Sequence, residues 1–278
     1  MIAPNMPYDE YRAAEGLNYS FLKWGDDSML KLKSKAGDSS KASAAQDFGS
    51  VAHLMFLEPK KLACSVALWT GRELKSGKNK GDITTEKKGA EWDAFEVENE
   101  NRYIITQGQQ DALQRMKVRL YADSNIMALL DGAQTELSIF WDSPKYGRGK
   151  GRIDILTANR AAYDYKTCAD LSRFTRDLFR FKYHLQCGWY VTGLEANDIR
   201  TADYPFGWIV QETEPPYDCA IFHAGFDVVE YGQKRMDSIA ENWTICEKAN
   251  DYSGMFAGPQ VVGLPRYMQE VEDWTIGD

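Results

Sequence analysis

The amino-acid sequence predicts a mixed α/β fold, with a central sheet flanked by helices and preceded by a helical segment. Three observations predict it. Helical periodicity dominates the N-terminal part, alternating apolar runs follow between residues 135 and 167, and helical and strand patterns then alternate to residue 250. The 278 residues, 44% of them hydrophobic, are enough to form one large core. We therefore expect one domain over residues 1–278.

The N-terminal flank, residues 1–60, is predicted to be helical. LNYSFLKWG indicates a small helix that begins near Asn18 or Ser20, and the small polar residues 33–43 indicate a loop. AAQDFGSVAHLMFLEP predicts a longer helix that ends before Pro59. Its apolar residues recur every four positions, at Phe48, Ala52 and Phe56.

The middle of the chain predicts a basic loop, a helix and three strands. Residues 71–90 are rich in lysine and glycine and indicate a mobile loop, and residues 107–130 carry a helical apolar stripe. TELSIFWD predicts the first strand, and YGRGKG predicts a turn. RIDIL and AAYDYKT predict two more strands around TANR, a hairpin-like connection.

The last third predicts a helix over residues 170–194, two strands in FGWIV and CAIFHAGF, and a helix over 227–250.

Composition excludes several classes of protein. The formal net charge of −8 argues against a protein that coats nucleic acid nonspecifically, although it leaves room for a locally basic channel. Five scattered cysteines without a CxxC pair argue against a disulfide framework, a thiolate zinc site and an iron–sulfur cluster. Reduced thiols indicate a cytoplasm. The N-terminus does not resemble a signal peptide and no apolar run is long enough for a bilayer, so we expect a cytoplasmic protein without a membrane partner.

Three charged residues interrupt the apolar strands of the predicted hairpin: Asp154, Asp164 and Lys166. Strand side chains alternate between faces, so Asp164 and Lys166 share a face, and Asp154 lies on the face opposite Ile153 and Ile155. If the two strands pair, Asp154 can lie across from the Asp164–Lys166 face. Two adjacent carboxylates repel each other, and a divalent cation removes that penalty. Oxygen ligands favour Mg²⁺, with Mn²⁺ as an alternative.

Further polar residues could complete such a site. A lysine beside a metal can orient or deprotonate water, or stabilise charge on a phosphate. Gln186 and Tyr190 are four residues apart, hence on one helical face, where they could bind a phosphate or brace the lysine. His53 offers a neutral imidazole nitrogen as a metal ligand.

Several motifs resemble a known superfamily. GRID, DYKT and HLQCGWY together resemble the RecB-like branch of the PD-(D/E)xK nucleases, which pairs a G-h-h-D strand with a D/E-x-K strand and a Q-x-x-x-Y helix. FGSVAHLMFLEP is similar to the histidine helix of the exonuclease VIII (RecE-type) group. So are the segment leading to AEWDAF, the TELSIFW strand and VVGLPRY near the end. The resemblance runs from about residue 16 to the C-terminal tail.

The resemblance implies a central PD-(D/E)xK-type sheet and a role for each residue. Asp154, Asp164 and Lys166 would be catalytic. His53, Asp154, Asp164 and the backbone carbonyl of Tyr165 would bind the metal. Gln186 and Tyr190 would lie at the DNA strand or support the site. The nuclease core would span residues 135–225, and the flank at 1–60 would carry His53.

The sequence departs from the pattern of the superfamily at two positions. Asp164 stands where many relatives have Glu, and Ile153 where the superfamily name has Pro. Glu136, on the first strand, is a further acid of second rank.

The resemblance also implies a function. We expect a Mg²⁺-dependent exodeoxyribonuclease that degrades linear double-stranded DNA from the 5′ end and leaves 3′ single strands for recombination, as in phages. Its partners would be DNA ends, a single-strand annealing protein and further copies of itself in a ring. The alternatives are an endonuclease or single-strand nuclease on the same core, and a DNA-end-binding adaptor with a degenerate site. The intact Asp154, Asp164 and Lys166 argue against the adaptor.

Purely structural roles stay open for individual residues. Asp154 could cap a turn, Asp164 and Lys166 could form a solvated pair, and His53 could be a packing residue. The loop at 71–90 could solubilise the protein or contact DNA. A basic row could be a solvated helix face or a phosphate-contacting surface: Arg173, Arg176, Arg180 and Lys182.

Overall fold

The computed structural model describes residues 1–37, 44–200, 204–256 and 258–265. The strands in these ranges are β1 (Ile2–Ala3), β2 (Val66–Trp69), β3 (Arg72–Glu73), β4 (Ile83–Thr84), β5 (Tyr103–Thr106), β6 (Gln134–Ser143), β7 (Gly147–Leu156), β8 (Ala162–Cys168), β9 (Phe206–Glu212) and β10 (Cys219–His223). The helices are α1 (Tyr8–Ala13), α2 (Tyr19–Leu22), α3 (Met29–Ser34), α4 (Ala44–Leu57), α5 (Leu62–Ser65), α6 (Ala90–Glu98), α7 (Gln107–Tyr121), α8 (Ser124–Leu130), α9 (Phe174–Arg180), α10 (Tyr183–Glu195) and α11 (Phe226–Ala249).

A six-stranded mixed sheet forms the centre of the fold, in the order β1-β6-β7-β8-β9-β10. Strands β8 and β9 are parallel, and the other neighbours are antiparallel. Two small two-stranded sheets, β2 with β5 and β3 with β4, lie outside it. The predicted mixed α/β class with a central sheet is confirmed. No helix within the described ranges is long and apolar enough to cross a membrane.

The sheet separates two apolar layers. On the face that we call the α10 side, α10, α11 and the N-terminal flank pack around buried residues such as Trp189, Trp208 and Leu22. On the other face, the α4 side, α4 and α7 pack around Met116 and Ile209. Burying one such side chain stabilises the fold by about 1.5–3 kcal/mol. Both faces of the sheet are therefore covered, which fixes the register of the central strands.

Most predicted elements are found, with sharper boundaries. The predicted hairpin is the β7–β8 pair, with Ile155 opposite Tyr163. The helix α2 begins after Asn18, whose side chain accepts a hydrogen bond from the Phe21 N–H, and α4 ends before Pro59. The predicted turn YGRGKG is shorter than expected, because β7 already begins at Gly147.

Two predicted helices are each interrupted. The first, over 107–130, is two helices, because the Asp123 side chain accepts hydrogen bonds from the N–H groups of Asn125 and Ile126 and so starts α8. The second, over 170–194, breaks where Lys182 adopts a left-handed backbone with φ of 64°. It becomes a 3₁₀ turn at Leu171–Arg173, α9 and α10.

Of the two predicted loops, one contains short strands and the other is only partly described. The segment 71–90 contains the short β3–β4 hairpin, and α6 begins at its end. In the segment 33–43, α3 extends to Ser34, and residues 38–43 lie outside the described residues. The last part of VVGLPRY, residues 266–267, also lies outside them. The division into flank, loop and core stays a prediction.

The contact between α10 and α11 predicts one sensitive position. A Cβ added at Gly188 would overlap backbone atoms of Gly232 and Gln233, which cannot move independently of their helix. We expect Gly188→Ala to lower the free energy of unfolding by about 1–3 kcal/mol or more, measured by urea denaturation.

The matched control is Gly108→Ala on α7, where an added Cβ meets no atom within 4 Å. This substitution should be neutral or should stabilise the protein by about 0.4–1 kcal/mol, because alanine restricts the unfolded chain. Equal effects of the two substitutions would contradict the close helix contact.

Candidate active site

At the candidate site, the side chains of β7 no longer alternate regularly between the two faces of the sheet. Thr135 pairs with Ile155 and Leu137 with Ile153, but between them Glu136 adopts a left-handed backbone with φ of 56°. Ile153 packs on the α10 side, whereas Ile155 packs on the α4 side. The expectation that both isoleucines share one face is therefore wrong. The irregularity falls where Glu136 and Asp154 stand opposite each other in the ladder.

Glu136 and Asp154 meet a histidine from α4. The Nε2 atom of His53 lies 3.1 Å from Asp154 Oδ2 and 3.5 Å from Glu136 Oε1. One potential ligand atom from each of the three residues lies within 4.8 Å of the others. Packing of Phe56 on the Tyr165 ring, with centroids 4.9 Å apart, anchors α4 over β8 and so positions His53. The three residues have the spacing of a metal-binding group.

The charges of this group depend on one another. Burial lowers the pKa of His53, but the Asp154 and Glu136 carboxylates outweigh it and raise that pKa to about 9. Burial raises the pKa of Asp154, and attraction to His53 outweighs it and lowers the pKa. Burial and the charge of Asp154 together raise the pKa of Glu136. At neutral pH a protonated imidazole therefore compensates two buried carboxyl groups.

These residues fit a divalent cation. Glu136 Oε2 lies 2.5 Å from Arg152 Nε, while the buried Oε1 accepts no hydrogen bond. A buried carboxylate oxygen without a hydrogen bond is costly, and the imidazole at 3.5 Å is its nearest cation. An imidazole nitrogen with carboxylate oxygens is a donor set for Mg²⁺ or Mn²⁺, and a cation there would replace the proton on His53.

A second polar group lies on β8. Asp164 Oδ1 accepts a hydrogen bond of 2.7 Å from Gln186 Nε2, and Asp164 Oδ2 lies 2.5 Å from Lys166 Nζ. The two groups are joined through the backbone, because the Tyr165 N–H donates to Asp154 Oδ2 at 3.0 Å. The predicted proximity of Asp154, Asp164 and Lys166 is therefore seen.

Lys166 carries a positive charge at neutral pH. Burial lowers its pKa, but Asp164 and Asp154 outweigh burial and raise it. Burial raises the pKa of Asp164. The charge of Lys166 opposes this rise and that of Asp154 adds to it, so the pKa of Asp164 lies above its usual value. The Lys166 amine also lies 4.8 Å from the centroid of the Tyr183 ring, which limits its movement. An ammonium group is thus held beside the carboxylates.

The remaining predicted residues have less direct contacts. Tyr190 is half-buried, and its ring packs 6.2 Å from that of Phe206; burial raises the pKa of its phenol well above the usual value. Asp164 is not part of the group formed by His53, Glu136 and Asp154. Metal binding by Asp164 and by the Tyr165 carbonyl stays a prediction.

Sequence reasoning placed Glu136 in second rank, although it lies within the metal-binding group. In the sequence, the evidence for its role is its position opposite Asp154 across the β6–β7 turn. Arg152 was missed; an arginine in an apolar strand two residues before Asp154 is its signal, because such a charge needs an acidic partner.

A mixed sheet with an aspartate on one strand, an Asp-x-Lys motif on the next and a glutamine helix across them defines the PD-(D/E)xK class. The chain belongs to the family described as the PDDEXK-like domain of unknown function DUF3799, whose family model matches residues 20–255. The predicted superfamily is confirmed. The narrower assignment to the exonuclease VIII group stays a prediction. None of the curated protein sequences matches the chain.

A solved structure shares the fold. The chain is similar to a candidate exonuclease from Eubacterium rectale, with a TM-score of 0.60 and 12% identity, over 95% of this chain and 96% of that chain. The alignment with a protein named SSO0001 covers 83% of this chain and 86% of that protein at 10% identity. Its TM-score of 0.30 is too low to support a shared fold. At these identities the first likeness shows the fold alone.

Metal binding can be measured by thermal denaturation. We expect Mn²⁺ to raise the melting temperature of the wild type, since a ligand present at 100 times its dissociation constant stabilises by about 2.7 kcal/mol. Asp154→Asn should abolish this rise, and His53→Ala should weaken it.

Asp142→Asn is the control, because Asp142 is an exposed acid on β6 outside the site. It should keep the full Mn²⁺ effect. A rise of wild-type size in Asp154→Asn would contradict the assignment of the metal site. Asp164→Asn would show whether Asp164 also contributes to metal affinity.

Proposed function

We propose that this protein is a Mg²⁺-dependent exodeoxyribonuclease that degrades linear double-stranded DNA, with Mn²⁺ as an alternative cation. One observation carries the proposal: the group of His53, Glu136 and Asp154 lies next to the pair formed by the buried Asp164 and the half-buried Lys166, to which the Tyr165 N–H links it. Acidic ligands and one ammonium group are the components needed to hydrolyse a phosphodiester.

Each residue of the site would have a separate role. His53, Glu136 and Asp154 would hold the cation, which supplies an activated water and neutralises phosphate charge when bound. The Lys166 ammonium would stabilise the charge that develops on the scissile phosphate. Because its pKa is raised, Lys166 is suited to this role and not to removing a proton from water. Gln186 holds the Asp164 carboxylate, which in turn orients Lys166.

Dependence on a DNA end is supported by resemblance. The motifs resemble the exonuclease VIII group, and the candidate exonuclease from Eubacterium rectale aligns over nearly its whole length. By the same resemblance we propose 5′-to-3′ polarity, 3′ single-stranded products for recombination, an annealing protein as partner and a ring of copies in the cytoplasm.

The first test compares DNA topologies. With Mg²⁺, a linear duplex labelled at one 5′ end should lose its label as a short product, while a closed circular duplex should stay intact. EDTA should abolish cleavage. Ca²⁺ should support little turnover, because its loose coordination positions water poorly. Cleavage of the circle would indicate an endonuclease, and full activity after exhaustive chelation would refute the metal-dependent mechanism.

The second test separates binding from chemistry. Lys166→Ala should lower kcat and kcat/KM together, by on the order of 10²–10³, while DNA and metal still bind. Lys166→Arg should not restore the rate, because a planar guanidinium does not replace a compact ammonium in this half-buried position.

Lys234→Ala is the control, since Lys234 forms an exposed ion pair with Glu230 on α11. Single-turnover cleavage beside an equilibrium binding titration measures both properties. A wild-type cleavage rate in Lys166→Ala would reduce the Asp164–Lys166 pair to a structural ion pair.

A further inference from the structure

A second lysine, Lys23 of the N-terminal flank, packs against rings of the α10 side, the side on which the Lys166 amine lies over Tyr183. Lys23 directly follows α2, and its side chain is half-buried against two rings, with Nζ 5.7 Å from the Tyr19 centroid and 5.3 Å from the Trp24 centroid. The pKa of Lys23 is lowered, first by burial and then by the charges of Lys166 and Lys182, which agrees with this placement.

The contacts of Tyr19 connect the segment that carries Lys23 to the candidate active site. Its hydroxyl donates hydrogen bonds to the carbonyls of Lys182, at 3.1 Å, and Phe181, at 3.3 Å, at the break between α9 and α10. The Lys182 ammonium also donates to the Lys23 carbonyl, at 3.3 Å. The flank and the helix break are thus joined next to Tyr183, the ring on which the Lys166 amine lies.

Lys23 lacks an acidic partner within the described ranges, unlike its neighbours. Asp27 lies 2.6 Å from Lys182 and 2.6 Å from Lys31, and Asp26 lies 2.8 Å from Arg235. Each of the nearest carboxylates along the chain is therefore taken by another cation.

The arginines of the basic row, on the 3₁₀ turn and on α9, are likewise paired. Arg173 lies 3.1 Å from Asp170, and Arg176 and Arg180 lie 3.5 and 4.0 Å from Asp177. Unlike these arginines, Lys23 forms no ion pair with a carboxylate among the described residues.

An ammonium in this place is unfavourable without an anion. Burial lowers the pKa of Lys23, and Lys166 and Lys182 lower it further, so the surroundings oppose its charge. A charge taken out of water without a partner destabilises the protein. A bound anion between these lysines would reverse the effect.

We propose that Lys23 binds a backbone phosphate of the DNA strand, next to the scissile phosphate that Lys166 contacts. This inference rests on the proposed function. A polynucleotide strand carries phosphates at regular intervals, so two lysines on the same side of the sheet match a strand better than they match a single free phosphate. Lys23 is then a binding residue, which holds the strand while Lys166 acts in the chemical step.

The experiment measures binding of a fluorescein-labelled linear duplex oligonucleotide in Ca²⁺ over a range of salt concentrations. In Lys23→Met, affinity should fall, and the slope of log K against log salt should decrease by about 0.9, as expected when one phosphate contact with B-DNA is lost. Lys23→Arg should retain the slope. In Mg²⁺, Lys23→Met should raise KM more than it lowers kcat, the opposite of the effect expected for Lys166→Ala.

Lys33→Met is the matched control. The Lys33 ammonium also lies over two rings, 4.7 Å from the centroid of Tyr252 and 5.9 Å from that of Trp243, but away from the site. Lys33→Met should leave the affinity for DNA and the slope of log K against log salt unchanged. An unchanged slope in Lys23→Met, or an equal loss in both variants, overturns the inference about Lys23 and leaves the proposed function intact. A wild type that neither binds nor cleaves DNA overturns both.

Discussion

Compensation of three carboxylates in the middle of the sheet is the constraint on which the rest of the structure depends. Glu136, Asp154 and Asp164 stand on three consecutive strands, where each charge needs a partner. Arg152 holds Glu136, His53 lies against Asp154, and Lys166 lies against Asp164. Removing one partner of a buried ion pair typically costs about 3–5 kcal/mol. The fold therefore depends on the same residues as the proposed chemistry.

The backbone is irregular where these carboxylates meet. Ile153 packs on the α10 side, whereas Asp154 and the next residue, Ile155, both lie on the α4 side, and Glu136 on the paired strand has a left-handed backbone. A left-handed non-glycine residue is sparsely populated and persists only where its surroundings hold it in place. The ion pair with Arg152 fixes the Glu136 side chain, and His53 occupies the other side.

Sequence patterns predicted those parts of the fold that follow from periodicity. The alternation around Asp164 and the apolar spacing of α4 identify elements that the structure contains. The same patterns carry no information about Glu136 and Lys182, because a left-handed backbone at Glu or Lys has no signature in composition. The role of Lys23 depends on which carboxylates its neighbours occupy, and this is a property of the folded chain.

The central claim is that His53, Glu136 and Asp154 form a cation site beside Lys166. An anomalous difference map from crystals grown with Mn²⁺, recorded at the manganese absorption edge, tests it most directly. The account predicts a strong peak in contact with His53 Nε2 and with carboxylate oxygens of Glu136 and Asp154. A map without a peak at these atoms, with Mn²⁺ bound elsewhere on the protein, would contradict it.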